Sequence, residues 1–540
     1  MRWWGWGEDS AAPSLPEPAL ELLARELGAE PGPVARPVSL EEVRLPEPAL
    51  SERARGLLEA VAGREAVRVD REARVRHAAG RGYADLLRLR AGRPLAAPDA
   101  VLMPRDPGQV QAVLRGCSEI GVAVVPFGGG TSVVGGVEPL RGGFDAVVSL
   151  DLTGLARVLA VDRRSLTATL EPGLLGPALE AALAAHGLTL GHYPQSFQFS
   201  TVGGWVATRS AGQASTGYGR IDELVEGVRC LTPAGELRTL PVPASAAGPR
   251  LREVIVGSEG ALGVISEVTV RVRPAPESLL YEGWSFRSFA DGLEALRVME
   301  QEGASPEVAR LSDEAETRLS LAPAASQGLT ARLGRSYLRA RGRAGGCLAI
   351  VGLEGKEEDV ARRRLRVAAL LRAGGGVPLG RRPGRAWLRG RFAAPYLRDE
   401  LLHRRVLVDT LETSAPWSTL ERTYGAVAGA LRDSLSGRGT PPIVMCHVSH
   451  LYRSGASLYF TFLARQEPGA ELEQWGAAKE AASEAIVRSE ATISHHHAVG
   501  RDHAPWMGAE VGELGVGLLR AVKERLDPAG IMNPGKLLPG

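Results

Sequence analysis

A strand that empties into three consecutive glycines constrains this chain more than any other feature. Val122-Ala123-Val124-Val125 is a short apolar, β-branched run of the kind that forms a buried strand. It continues as Pro126, Phe127, Gly128, Gly129, Gly130, Thr131 and Ser132, then Val133-Val134-Gly135-Gly136. Glycines leave successive backbone N–H groups uncovered, and the two hydroxyls add donors. The turn is therefore either a structural loop or an anion-binding nest for a phosphate or pyrophosphate.

Two further segments bear on that choice. One holds Gln195, Ser196, Phe197, Gln198, Phe199, Ser200 and Thr201, passes through Val202-Gly203-Gly204-Trp205, and continues as Thr208, Arg209, Ser210 and Ala211. Small residues and hydroxyls collect in this way where backbone must approach a flat ring closely. The other is Gly257-Ser258 followed by Glu259, Gly260, Ala261, Leu262, Gly263, Val264 and Ile265, a turn leading into a strand. Each alone is ordinary loop chemistry. In this order and spacing they make a specific pattern.

The surroundings read as an α+β chain. Asp106-Pro107 followed by Val110, Val113 and Leu114 predicts an N-capped helix. Residues 146–150, 165–170, 268–272 and 457–462 predict strands, and 356–373 an Arg-rich helix. At 540 residues the chain holds roughly two to four domains. The expected division is an N-terminal helical segment over 1–96, a second domain over 97–276, a third over 277–493, and a C-terminal segment over 494–540.

Composition excludes several classes. The 64 basic residues balance 62 acidic ones, so the net charge of +2 points to no nucleic-acid partner. Cys117, Cys230, Cys347 and Cys446 are widely spaced, with no Cys-x-x-Cys pair, which fits a reduced cytoplasmic protein. No apolar run is long enough to span a bilayer. Peripheral membrane contact cannot be read from composition.

On the three glycine-bearing segments the chain resembles flavoproteins of the vanillyl-alcohol-oxidase or PCMH type. That resemblance implies two α+β subdomains clasping FAD over 97–276, followed by an α+β cap that holds the substrate. It makes the first segment a pyrophosphate loop, the second a flank of the isoalloxazine, and the third a Gly-Ser-Glu-Gly signature. Some members tether the flavin through a residue of the first loop. Here that loop offers neither His nor Cys, so non-covalent FAD is expected.

A narrower likeness extends over nearly the whole chain. Trp4-Gly5-Trp6-Gly7, Phe199 to Arg209, Ala309-Arg310-Leu311-Ser312-Asp313, Ala394 to Asp399, Asp409 to Ser414 and Ser494 to Gly500 resemble the alkyldihydroxyacetonephosphate synthases. These flavoenzymes make the ether bond of ether lipids by exchanging an acyl group for a long-chain alcohol, with no net redox change at the flavin. The likeness implies catalytic roles for Tyr459, Arg310, His495, His496 and His497, and a substrate-binding role for Arg398. It also implies lipid substrates and a homodimer.

On the residues themselves, three adjacent imidazoles suit tetrahedral metal coordination poorly, because neighbouring positions point in different directions. A polar rim to an anionic substrate is the preferred reading, and no metal is expected. His447 and His450 are left without a role.

The rival is an FAD-dependent 2-hydroxy-acid dehydrogenase of the D-lactate or glycolate kind. Its Glu-His-Gly-Ile-Gly element aligns with His496-His497-Ala498-Val499-Gly500, so its metal-binding carboxylate is missing here. Gln195 and Ala261 depart from the synthase pattern, which has Asp and Thr at those places, and Met532-Asn533-Pro534-Gly535 resembles the dehydrogenase ending.

Overall fold

A computed structural model describes residues 1–8, 15, 17–28, 34–321 and 338–539. Three large sheets organise them, beside a two-stranded one that pairs Leu188–Thr189 with Arg273–Pro274. The first has four strands in the order Val67–Arg68, Ala100–Leu102, Ala146–Asp151 and Val122–Phe127, the last three parallel. Helix Pro107–Ile120 covers it, capped as expected by Asp106, whose carboxylate accepts from the Gln109 amide at 2.9 Å. The second sheet is antiparallel, in the order Val158–Asp162, Thr167–Leu170, Val264–Arg271, Val225–Thr232 and Gly235–Arg238.

Predicted elements fall close to their places, with local differences. Ser165 and Leu166 form a turn before the strand that begins at Thr167, and Leu166 has a left-handed φ of 53°. Val272 lies just past its strand, which ends at Arg271. The change of composition at residue 97 also falls inside a packed unit. Leu58, Ala62, Ala66 and Val67 share one core with Val124, Val148 and Leu150 of the first sheet.

The third sheet has eight strands. Along its path run Val377–Gly380, Ser278–Phe286, Cys347–Gly355, Val308–Ser312, Ile443–Val448, Gly455–Arg465 and Val406–Pro416, with Leu451–Tyr452 at the side of Gly455–Arg465. Strand alternation gives this sheet two chemically different faces. Leu311, Cys446, Phe460 and Leu411 enter one large core beneath helices Phe289–Gln301, Trp417–Gly437 and Glu471–Arg488. Their neighbours in sequence, Ser312, His447, Tyr459 and Glu412, stand in direct register across four adjacent strands on the opposite face. That polar row is the floor of the site.

The C-terminal segment runs back to the first two sheets. Met532 bridges to Val124, and the Asn533 side-chain amide donates to the carbonyls of Gly136 and Glu259 at 3.1 and 2.6 Å.

Candidate active site

The glycine-rich loop leaves the carboxyl end of the parallel strand Val122–Phe127, where open α/β sheets bind ligands. It lines a narrow cleft between the first two sheets. Pro126, Phe127, Gly128, Ser132, Thr201, Thr208, Glu259, Gly260, Gly263 and Ile265 contribute to its walls, together with Gly136, Gly203 and Gly204.

The glycines are dictated by close backbone approach. A Cβ on Gly129 would lie 1.8 Å from the Phe199 carbonyl, and one on Gly128 2.4 Å from Thr201 Oγ1. Gly129 is thus needed to seat the first loop on the second segment. Gly260 has φ 73° and would meet the Pro126 ring at 2.8 Å. A cradle walled by backbone suits a long, flat dinucleotide, so the residues present fit FAD.

Other predicted cofactor residues support the cleft from behind. Phe197 is buried in a stack with Trp205 and Phe392, centroids 6.4 and 5.3 Å apart. Ser200 Oγ accepts from Trp205 Nε1 at 2.7 Å and donates to the Ser196 carbonyl at 3.0 Å. Gln195 donates to the Arg391 carbonyl at 2.8 Å, Gln198 accepts from the Tyr396 hydroxyl, and Phe199 packs edge-on to Tyr396. Ser210 Oγ lies 3.3 Å from His192 Nε2. Ala211, Ala261, Leu262 and Val264 are buried. Gly130, with φ 65°, lies against Phe127, and Thr131 follows it in the loop.

Glu259 joins this cleft to the C-terminal segment. Its carboxylate accepts from the Val499 and Gly500 amides at 2.8 and 2.7 Å. Burial raises its pKa to about 7, against the pull of those two donors.

A larger cavity of about 380 Å³ adjoins the cleft, with Thr208 and Glu259 lining both. Arg209, Arg220, Ser414, Ser494, His495 and His496 line it. Beside it the polar row takes up its working geometry. Tyr459 is clamped between two imidazoles: His447 at 4.7 Å and 19°, and His496 at 5.8 Å and 20°. His497 meets the phenol ring edge-on at 5.4 Å. Burial pushes the Tyr459 phenol up from its usual range.

Arg310 does not project freely. It donates to Glu316, and His447 Nδ1 lies 2.9 Å from the same carboxylate and 3.0 Å from Arg310 Nη2. Burial alone would raise the Glu316 carboxyl, but the adjacent His447 and Arg310 hold it well below the usual range. Arg398 is buried, donating to the Arg81 carbonyl at 2.9 Å and to Asp409 at 3.3 Å. Arg209 pairs with Glu253 and Asp222 at 2.9 and 3.4 Å.

The fold changes the argument about the histidines. His450, from a different part of the chain, joins His495 and His496, and the ring nitrogens of these three lie within 4.8 Å of one another. A three-imidazole grouping therefore exists, but it takes His450 in place of His497, so the three adjacent histidines do not converge as a set. Those nitrogens already have partners, however. Tyr452 Oη is 2.5 Å from His495 Nε2, His495 Nδ1 is 2.9 Å from His496 Nδ1, and His450 Nδ1 is 2.5 Å from Ser215 Oγ. Burial holds His450, His495 and His497 well below the ordinary imidazole range, so all three are neutral near pH 7.

Sequence reasoning passed over Glu412, Glu316, Arg220 and Tyr452, and left His447 and His450 without a role. Glu412 stood in a quoted motif, on a strand that also carries Asp409, Thr410, Thr413 and Ser414, so nothing in the strand's composition singled it out.

Residues 98–241 match the family described as the FAD binding domain, and residues 275–537 match the C-terminal domain of FAD linked oxidases. Fold and cleft thus define an FAD-dependent flavoprotein enzyme of the FAD-linked oxidase class. At 15% identity and a TM-score of 0.65, p-cresol methylhydroxylase shares the fold.

The chain is 34% identical to alkyldihydroxyacetonephosphate synthase of Dictyostelium discoideum, over 87% of this chain and 78% of that protein. It is 35% identical to the enzyme of that name from Trypanosoma brucei brucei, over 92% and 82% of the two chains. A solved structure of an alkyldihydroxyacetonephosphate synthase superposes with a TM-score of 0.86 at 30% identity, covering 99% of both chains. The chain belongs to the alkyldihydroxyacetonephosphate synthase family.

Proposed function

We propose that this protein exchanges the acyl group of acyl-dihydroxyacetone phosphate for a long-chain alcohol, forming an ether bond. The observation that carries this reading is the phenol of Tyr459 held between His447 and His496, the latter lining a cavity that adjoins the FAD cleft. FAD bound in that cleft supplies an electron-poor ring system that can accept and return an electron pair.

The chain's own groups hold the substrate and move protons. Because its pKa is raised, Tyr459 is protonated at neutral pH. It hands its proton to a neighbouring neutral imidazole as it takes one from C1 of the substrate. Arg310, fixed by Glu316, keeps His447 stacked on the phenol. Arg220 on the cavity wall favours a phosphate monoester.

The reading extends to the substrate's source. Helix Arg381–Gly390 exposes Arg381, Arg382, Arg385 and Arg389 while Trp387 stacks on Tyr281 at 5.9 Å. A basic outer face of this kind supports peripheral contact with an anionic lipid surface. Among the described residues no helix is long and apolar enough to cross a membrane. The four cysteines are free and buried, which supports a reducing, cytoplasmic location, and the family likeness supports a homodimer.

The test is an anaerobic assay with radiolabelled hexadecanol and palmitoyl-dihydroxyacetone phosphate, run beside D-lactate and glycolate with a dye acceptor. Ether product without dye reduction is expected. Dye reduction by a hydroxy acid with no ether product would transfer the protein to the dehydrogenase class. Acid denaturation should release all the flavin into the supernatant as FAD, and flavin left on the polypeptide would refute non-covalent binding.

A further inference from the structure

Glu412 lies on the strand Val406–Pro416, directly opposite Tyr459 in the antiparallel register. Its side chain is fully buried, and the basic groups within 4 Å of it are three imidazoles rather than a Lys or Arg. Four donors from one loop converge on it. The His495 amide reaches Oε2 at 2.6 Å, the His496 and His497 amides reach Oε1 at 2.9 and 2.8 Å, and Ser494 Oγ reaches Oε1 at 3.0 Å.

Three consecutive backbone N–H groups wrapped around an anion make a nest, here closed on the protein's own carboxylate. The Nδ1 atoms of His495, His496 and His497 stand 3.8, 3.4 and 3.9 Å from the same group. Burial by itself would raise the carboxyl, and contact with His496 instead holds it well below its ordinary range. A lone buried anion is costly unless it is fully hydrogen-bonded, so the loop must close over it in this one conformation.

We propose that Glu412 is a positioning residue for the reaction, resting on the functional reading above. It acts through the histidine loop in two ways. It fixes the distance between the loop and Tyr459, because the carboxylate and the phenol are cross-strand neighbours on one sheet face. It also meets the positive charge that appears when an imidazole of the loop accepts a proton. The proton moves from the Tyr459 oxygen to an imidazole nitrogen, and Glu412 stays anionic throughout.

The experiment uses the full-length holoprotein and two variants. Glu412→Gln keeps the shape, removes the charge, and turns one acceptor into a donor facing an amide. Its expected signature is a kcat lowered about 10²-fold, the scale of a misplaced catalytic group, with KM and bound FAD unchanged. Hydrogen–deuterium exchange at the 495–497 amides should become about tenfold faster, while the rest of the third sheet is unaffected.

Ser494→Ala deletes one donor and leaves the three amides, so about a two- to tenfold loss in kcat is expected. It decides the matter if Glu412→Gln is insoluble. A kcat at the wild-type level in the soluble variants, or a loss confined to KM or flavin content, would overturn the proposal. Absence of ether product from the wild-type protein defeats the substrate reading alone. In that event the exchange data decide: protection at 495–497 that survives in Glu412→Gln overturns the proposal, and its loss supports it.

Discussion

The FAD cleft and the histidine face lie side by side but are made of different material. The cleft is built from backbone: Gly128, Gly129, Gly136, Gly203, Gly204, Gly260 and Gly263 stand where a side chain would block another segment or the ligand. The histidine face is built from side chains, with Ser312, His447, Tyr459 and Glu412 set across four strands and a loop folded onto the row. Damage to the first should change how much flavin is held. Damage to the second should change what each flavin site accomplishes.

Tyr459→Phe offers the largest separation. Loss of the phenol oxygen should lower turnover about 10²-fold or more with FAD content unchanged. Stability should fall by about 1 kcal/mol, since ring packing between His447 and His496 is kept. Near-normal turnover in that variant, measured per bound flavin, would assign the proton transfer to the imidazoles.

Arg310→Lys comes next, with about a 10- to 100-fold loss of kcat expected, because a point charge cannot keep Glu316 and His447 together in the same fork. A crystal structure with His447 still stacked on Tyr459 and full activity would break this part of the comparison.

Gly260→Ala probes the other region. A Cβ there has a φ of 73° and meets Pro126 at 2.8 Å, a strain of about 1–2 kcal/mol. Flavin occupancy at limiting FAD should drop about tenfold, with turnover per bound flavin unchanged. A fall in turnover at full occupancy would show that the two regions are not separable.

The smallest effect concerns pH. Burial lowers the pKa of His192 to about 3, so the folded protein refuses a proton that the unfolded chain takes up below about pH 6.5. Its contribution to stability is present above that pH and is lost by about 1.4 kcal/mol per unit on acidification. Glu259, near 7, and Asp313 and Asp399, each near 6, work in the opposite direction, since burial raises them and protonation favours the folded state. The melting-temperature advantage of wild type over His192→Asn should therefore shrink between about pH 7.5 and 5.5. A constant difference would mean that the imidazole is not held neutral.

The same division explains what could be read from the residues. Glycine demanded by backbone contact leaves a compositional trace, so the segments at 126–136 and 257–265 stood out before any coordinates. Asp106 announced its helix for a similar reason, since a cap is a local contact. Glu412 left almost no trace. Its meaning arises from pairing with a strand some fifty residues away and from a loop more than eighty residues away. His450 and Arg398 show both sides of the problem. One gained a site by tertiary placement, and the other, expected to face substrate, spends its donors on Arg81 and Asp409. The Ser165–Leu166 turn was missed because apolar alternation carries no sign of a left-handed residue.

The bonds from Glu259 to Val499 and Gly500, and from Asn533 back to Glu259, set an order of events during synthesis. A ribosome releases the glycine-rich loop early, yet the wall that closes the cleft is still unmade some 370 residues later. A nascent chain that stops short of Val499 already contains every strand but not the two amides that hold Glu259. Secure flavin uptake is accordingly expected only once the C-terminal segment has docked, and a chain cut between Arg465 and Val499 should keep every strand while lacking the bonds that hold Glu259.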